Sequence, residues 1–252
     1  MRVIFLAAGK GERIFKHFNI NKPLIKIGNK SLLENLIIGA KNNKETKISV
    51  VIGYKKKNIL TALKDYKKID FITNKKFNTT DMVHSLMMGL KKYDDDILFS
   101  YSDIIYDGNI LKTIKKNVNK DIVIPYLKNW EKIWKIRKKS IYADAETFSY
   151  DKNKYLNEIG RKIKDKNKVK GQFMGLIFIP KNLKKKILKI YQNNFDNKKI
   201  QTTQFLQYLL SEQFKIKCLE YKGDWYEIDD YKDYKFFIEN DVFKRIKKNF
   251  RF

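Results

Sequence analysis

Two glycines and two cations near the N-terminus have the types and spacing to hold a polyphosphate. The run Leu6-Ala7-Ala8-Gly9-Lys10-Gly11-Glu12-Arg13 is followed by Lys22-Pro23-Leu24. Small residues after an apolar strand let the backbone come close to a ligand, and peptide N–H groups in such a turn can hold anionic oxygens. Arg13 and Lys22 supply the positive charge that a triphosphate needs. The pattern is not the phosphate loop of the ATPases, which ends in Gly-Lys-Ser/Thr. It also lacks the third glycine of the dinucleotide fingerprint.

Carboxylates are the second element of chemistry. Phe99-Ser100-Tyr101-Ser102-Asp103 is an apolar strand ending in an aspartate, and the C-terminal end of a parallel strand is where α/β sheets bind ligands. Trp225-Tyr226-Glu227-Ile228-Asp229-Asp230 carries three more acids. Glu227 and Asp229 are two residues apart, so on a strand they share a face, while Asp230 is placed to cap a following helix. Asp144-Ala145-Glu146-Thr147-Phe148 is a further acidic and aromatic segment.

The elements that must position these groups alternate. Strands are expected at Val3–Ala7, Ile48–Ile52, Asp70–Thr73, Ile97–Tyr101 and Ile122–Pro125. Helices are expected at Ser31–Lys41, Asn58–Lys64, Asp81–Leu90 and Gly108–Lys116. Ser31 and Glu34 have the spacing of a capping box. This order predicts an α/β protein with a single doubly wound, mainly parallel (mixed) sheet and helices on both faces. After Tyr126 the alternation breaks. Trp130–Ile136, Ile141–Phe148 and Tyr155–Ile159 read as extended pieces and loops. Strands follow at Gln172–Ile179, Ile216–Glu220 and Trp225–Ile228, and helices at Leu183–Tyr191, Thr202–Leu210 and Tyr231–Glu239. With no linker and no repeat, residues 1–252 read as one domain: a nucleotide-binding half (1–126), an acceptor-binding half (127–240) and a basic tail (241–252).

Composition narrows the class. The 252 residues carry 55 basic and 28 acidic side chains, a net charge of +27. Lysines are spread along the whole chain and accompany abundant Asn, Ile and Phe, the pattern of an AT-rich genome rather than of a nucleic-acid stripe. No nucleic-acid partner is expected; such a partner would require strongly salt-dependent DNA affinity. The field still favours anionic substrates. No apolar run approaches a bilayer span. The single cysteine, Cys218, excludes an internal disulfide and fits a reducing cytoplasm. Oligomeric state is not legible, a homodimer being one option.

Leu-Ala-Ala-Gly-x-Gly-x-Arg together with Lys-Pro-Leu resembles the signature of the sugar-nucleotidyltransferase superfamily, with its Rossmann-like nucleotidyltransferase fold. The later segments resemble its phosphocholine and 2-aminoethylphosphonate cytidylyltransferases. The resemblance runs from Val3 to about Tyr234. It implies a Mg²⁺-dependent transfer of CMP from CTP to a small phosphorylated alcohol or phosphonate. Lys22 and Arg13 are the implied catalytic residues. Leu6, Ala7, Ala8, Gly9, Gly11, Asp81, Ser85 and Ser102 would hold the nucleotide, and Asp103 and Asp229 the Mg²⁺. The segments Trp130–Arg137, Asp144–Phe148 and Gly171–Leu176 would face the acceptor, through Trp130, Arg137, Asp144, Glu146 and Gln172, with Glu227 from the late element. Acids and aromatics in that half suit a cationic head group. The competing expectations are a sugar-1-phosphate nucleotidyltransferase and a catalytically silent nucleotide-binding subunit.

Overall fold

A computed structural model describes residues 1–239 except 44, 107–108, 119, 138–140, 143–144 and 197–198. The segment 241–252 therefore lies outside the described residues. In chain order the elements begin with β1 (Arg2–Ala7), α1 (Glu12–Phe18), β2 (Lys26–Ile27), β3 (Lys30–Ser31), α2 (Leu32–Lys41), β4 (Lys47–Ile52), α3 (Lys56–Ala62), β5 (Ile69–Thr73) and α4 (Met82–Lys92). Then come β6 (Ile97–Tyr101), β7 (Ile104–Tyr106), α5 (Asn109–Asn117), β8 (Ile122–Leu127), α6 (Trp130–Arg137), β9 (Phe148–Tyr150) and β10 (Leu156–Ile159). The chain continues with β11 (Gln172–Phe173), β12 (Leu176–Ile179), α7 (Lys184–Phe195), α8 (Thr202–Ser211), β13 (Ile216–Tyr221), β14 (Trp225–Glu227) and α9 (Tyr231–Glu239).

The main sheet is mixed. β6, β1, β4 and β5 form a parallel block, and β13 pairs in parallel with β8. Antiparallel β12 joins the two blocks by pairing with β6 and β8, and β11 pairs antiparallel with β8. The sheet thus takes strands from both halves of the sequence. β1 shows why it is buried on both sides: Ile4, Leu6 and Ala8 enter one core with helices α4, α7 and α8, while Val3, Phe5 and Ala7 enter another with α2, α3 and α5. Period-two alternation of apolar residues on both faces is what a central strand of a covered sheet requires.

Local chemistry explains the helix starts. Ser31 Oγ accepts from the Glu34 backbone N–H at 3.3 Å, and the Ser31 N–H donates to Glu34 Oε2 at 2.8 Å, which is the expected capping box. Asp81 Oδ1 accepts from the Met82 N–H at 2.8 Å at the start of α4. Two expectations are corrected, and a helix is added. Trp130–Arg137 is a helix: Trp130 and Trp134, four apart, lie on its buried face, and burial of two indoles overrides the strand preference of their residue type. The strand expected over Gln172–Ile179 is divided at Met174-Gly175, because Gly175 takes φ +75° with the Tyr101 ring packed where a Cβ would sit. Helix α1 was not foreseen; its N-cap is Gly11 in the left-handed region, with no side-chain cap to announce it. Among the described residues no helix is long and apolar enough to cross a membrane.

A third, smaller core holds Ile14, Ile25, Ile27, Leu32, Ile105, Tyr226, Ile228 and Phe237. Four of these neighbour the charged residues singled out above: Ile14 follows Arg13, Ile25 closes the Lys22 turn, Ile105 lies just past Asp103, and Ile228 precedes Asp229. Phe237→Ala should therefore cost about 3–5 kcal/mol of stability, measured by urea unfolding, since its ring is fully buried.

Candidate active site

A cleft of about 230 Å³ opens over the C-terminal ends of β1, β5 and β6, lined by Leu6, Ala7, Ala8, Gly9, Gly11, Arg13, Lys22, Asp81, Ser85, Ser102 and Asp103. Every residue expected to hold the nucleotide is on this wall, together with both expected catalytic cations. Pro23, Asn74, Phe77, Thr80 and Met82 also line it and were not anticipated. Asn74 follows the last residue of β5, so its place at the end of a parallel strand was the available signal. Its Nδ2 donates to Ser85 Oγ at 3.1 Å, and its Oδ1 accepts from the Lys76 N–H at 2.8 Å. Ser102 Oγ donates to the Leu6 carbonyl at 2.6 Å, tying the end of β6 to the start of the glycine loop.

The two glycines differ in kind. A Cβ on Gly9 would meet nothing within 4 Å, so its open side faces the cleft. Gly11 has φ +63°, and a Cβ there would lie 2.7 Å from Lys22 Cβ. Its left-handed backbone and missing side chain let the Lys22 stem run directly against the loop.

Lys22, in a short 3₁₀ turn (Lys22–Leu24), is 7% exposed. Its Nζ donates to Asp103 Oδ2 at 2.9 Å and to Asp229 Oδ1 at 3.1 Å. Burial works against the charged amine, but Asp103 and Asp229 outweigh it and hold the Lys22 pKa above the ordinary lysine value. The ammonium thus stays charged throughout the neutral range. Arg13 reaches the other oxygen of Asp229; the arginine side chain is 72% exposed, so this pair adds little stability on its own. The two aspartates meet because β7 pairs antiparallel with β14, Ile104 opposite Glu227, and the Ile228 N–H continues the ladder to the Asp103 carbonyl at 2.9 Å. Glu227 adds to the negative field at Lys22. The Asp229 backbone N–H is held in turn by Asp233 Oδ2 at 3.0 Å.

The donor set suits a hard divalent cation. Asp103 Oδ1 is buried without a hydrogen-bond partner, and Asp229 lies across the same ammonium. Among the described residues no cluster of three or more metal-ligating side chains exists. Two carboxylates, with phosphate oxygens completing the shell, is the coordination Mg²⁺ favours.

The residues expected to face the acceptor are dispersed. Trp130 is 2% exposed and packs edge-on against Trp134, which stacks on Trp225; it is a core residue, and its expected role in holding a ligand is corrected. Gln172 Nε2 donates to the Glu146 carbonyl at 2.8 Å, and the Glu146 N–H donates to Gln172 Oε1 at 3.4 Å, so the buried Gln172 amide fixes the Glu146 backbone. Asp144 and the Arg137 side chain lie outside the described residues. His84, on the expected base-side helix, pairs with Tyr191 Oη at 3.0 Å on the face toward α7.

The surface charge is uneven beside the cleft. Lys55, Lys56, Lys57 and Lys75 line a groove that shares Asn74 and Phe77 with it, a local field that favours arrival of polyanions.

A model of the MobA-like NTP transferase domain matches residues 3–169, from β1 through the glycine loop and the Asp103 strand to β10 and beyond. The chain belongs to this NTP transferase family. It is 28% identical over 254 residues to the CTP:phosphoglutamine cytidylyltransferase of Campylobacter jejuni, covering 95% of this chain and 100% of that protein. The fold matches the CTP:phosphocholine cytidylyltransferase of Streptococcus pneumoniae with a TM-score of 0.70 at 18% identity, over 94% of this chain and 97% of that one. It also matches a putative glucose-1-phosphate thymidylyltransferase of Bacillus anthracis with a TM-score of 0.76 at 14% identity, over 97% and 99% of the two chains. The NTP transferase fold is therefore common to proteins named for different bases and acceptors.

The glycine geometry separates two effects. Gly9→Ala should leave the unfolding midpoint unchanged but weaken nucleotide binding, read by calorimetric titration. Gly11→Ala should lower stability by roughly 1–2 kcal/mol through its left-handed backbone, and should also lose nucleotide affinity because Lys22 must shift.

Proposed function

We propose that this NTP transferase is a CTP-dependent cytidylyltransferase that moves CMP onto the phosphate or phosphonate oxygen of a small amine-bearing acceptor and releases pyrophosphate. The observation that carries the reading is the buried Lys22 ammonium between Asp103 and Asp229 at the inner wall of the glycine-loop cleft. The full-length likeness to a CTP-using relative supports CTP as donor and a phosphorylated amino-acid derivative as one candidate acceptor.

The chemistry needs no side-chain nucleophile. An acceptor phosphate oxygen is already anionic at neutral pH. It attacks the α-phosphorus of CTP, a new P–O bond forms, and the bond to the β-phosphate oxygen breaks as pyrophosphate leaves. The protein must bring two polyanions into line and offset their repulsion. Lys22 neutralises the α-phosphate and the incoming oxygen. Arg13, exposed at the cleft mouth, holds the β- and γ-phosphates and then the leaving group. Backbone at Ala7, Ala8 and Gly9 frames the nucleoside, with Ser85 and Asp81 beside the base. Asp103 and Asp229 would hold Mg²⁺, which when bound supplies further charge neutralisation at the phosphates. Glu146 and Glu227 are the described residues assigned to the acceptor, their carboxylates suited to its ammonium group. The thymidylyltransferase likeness favours a second reading, transfer to a sugar 1-phosphate.

Pyrophosphate release decides between them. CTP, UTP, ATP and GTP are each tested with Mg²⁺ against phosphoamino acids (phosphoglutamine among them), phosphocholine, 2-aminoethylphosphonate and sugar 1-phosphates. Turnover confined to CTP with an amine-bearing acceptor is expected; turnover only with a sugar phosphate overturns the reading. Lys22→Ala and Asp103→Ala should each lower kcat by about 10²-fold or more in protein that remains folded by circular dichroism.

A further inference from the structure

The cation between Asp103 and Asp229 is a side chain. Lys22 Nζ stands within 3.1 Å of one oxygen of each carboxylate, and Arg13 takes the second oxygen of Asp229. Two cations thus engage both carboxylates at the inner wall of the cleft, and Asp103 Oδ1 is the oxygen left without a hydrogen bond. Asp229 is 8% exposed and Lys22 7% exposed, so neither charge is left to water. We propose that Lys22 is a place-holder that keeps a divalent cation out of this site until a nucleotide arrives, so that metal enters with the nucleotide and not before it. The proposal rests on the assignment of Asp103 and Asp229 as metal ligands made above.

The geometry provides the exchange. A hard cation brought alone would compete with an ammonium already paired twice, and would leave Lys22 as a buried, uncompensated charge. The Lys22 stem is pinned against Gly11, its Cδ only 3.2 Å from where a Gly11 Cβ would sit. The ammonium therefore sits beside the glycine loop, on the wall of the cleft that a triphosphate would enter. A triphosphate on that loop offers new anionic partners to Lys22 and to Arg13 at once, and their departure frees both carboxylates together. Each charge keeps an opposite partner before and after the exchange.

The test needs no turnover. Binding of Mn²⁺ is followed without CTP by the loss of its free-ion electron paramagnetic resonance signal, and with CTP by the Mn²⁺ retained with the protein on rapid ultrafiltration, read against a protein-free Mn²⁺–CTP control. The forms compared are the wild-type protein, Lys22→Met, Lys22→Arg and the Lys22→Met/Asp103→Asn double variant. Without CTP, Lys22→Met should bind Mn²⁺ at least about tenfold more tightly than wild type, because the competing charge is gone. Lys22→Arg, which keeps the charge, should bind as weakly as wild type, and the double variant should lose the gain. With CTP, wild type should take up Mn²⁺. Equal Mn²⁺ affinity of wild type and Lys22→Met without CTP overturns the place-holder; if CTP still recruits Mn²⁺, the cytidylyltransferase reading stands. Absence of Mn²⁺ uptake in every form, CTP included, overturns the place-holder and the metal assignment together. Should Lys22→Met fail to fold, wild type decides: Mn²⁺ bound as tightly without CTP as with it overturns the proposal.

Discussion

Two aspartates that converge on one wall of a cleft bring like charges together, and most of the active-site architecture serves to set a cation between them. Asp103 lies in the turn between β6 and β7, and Asp229 follows the short strand β14, which pairs with β7. Lys22 supplies the cation, and its approach depends on Gly11 having neither a Cβ nor an ordinary backbone angle. The third core then binds the four supporting segments through Ile14, Ile25, Ile105 and Ile228. Breaking one member of such a network is costly because the survivor is left as a buried charge. The glycine loop is therefore as much a mould for lysine as a cradle for phosphate.

What was legible in the sequence was local. The strand–glycine–cation run, the Ser31–Glu34 box and the aspartate closing β6 each announce themselves within a few residues, and all eight residues expected at the nucleotide line one cleft. What was not legible depends on partners distant in sequence. Trp130 carries the same residue type whether it caps a ligand or fills a core; only the packing of Trp134 and Trp225 against it and its neighbours decides. The break between β11 and β12 is set by the Tyr101 ring across the sheet. Helix α1 begins at a glycine, so the usual side-chain signals of a helix start are missing. Asn74 looks like an ordinary turn residue until Ser85 is seen beside it.

The fold sets the glycine-loop cleft more firmly than the half proposed to meet the acceptor. β1, β5 and β6 are parallel neighbours or near neighbours whose ends must open on one edge, so the cleft is a product of topology. The second half of the chain, proposed to meet the acceptor, depends on short strands and on backbone held by side chains, as Gln172 holds Glu146. Such parts can be re-specified without disturbing the sheet, which accords with one fold serving proteins named for a choline phosphate and for a sugar phosphate.

The span of the Arg13–Asp229 pair has a consequence for how the molecule is made. These partners are 216 residues apart in sequence, and Lys22 and Asp229 are 207 apart. Contacts of such long range form late, after the closure entropy of the intervening chain has been met. On the ribosome, the parallel block of β1, β4, β5 and β6 can pair while residues beyond 101 are still being added. Its glycine loop would then be exposed with Lys22 lacking the Asp229 carboxylate. The nascent chain lacks the Asp229 carboxylate until β14 has emerged, so the Arg13–Lys22–Asp229 network can close only after the parallel block has been made.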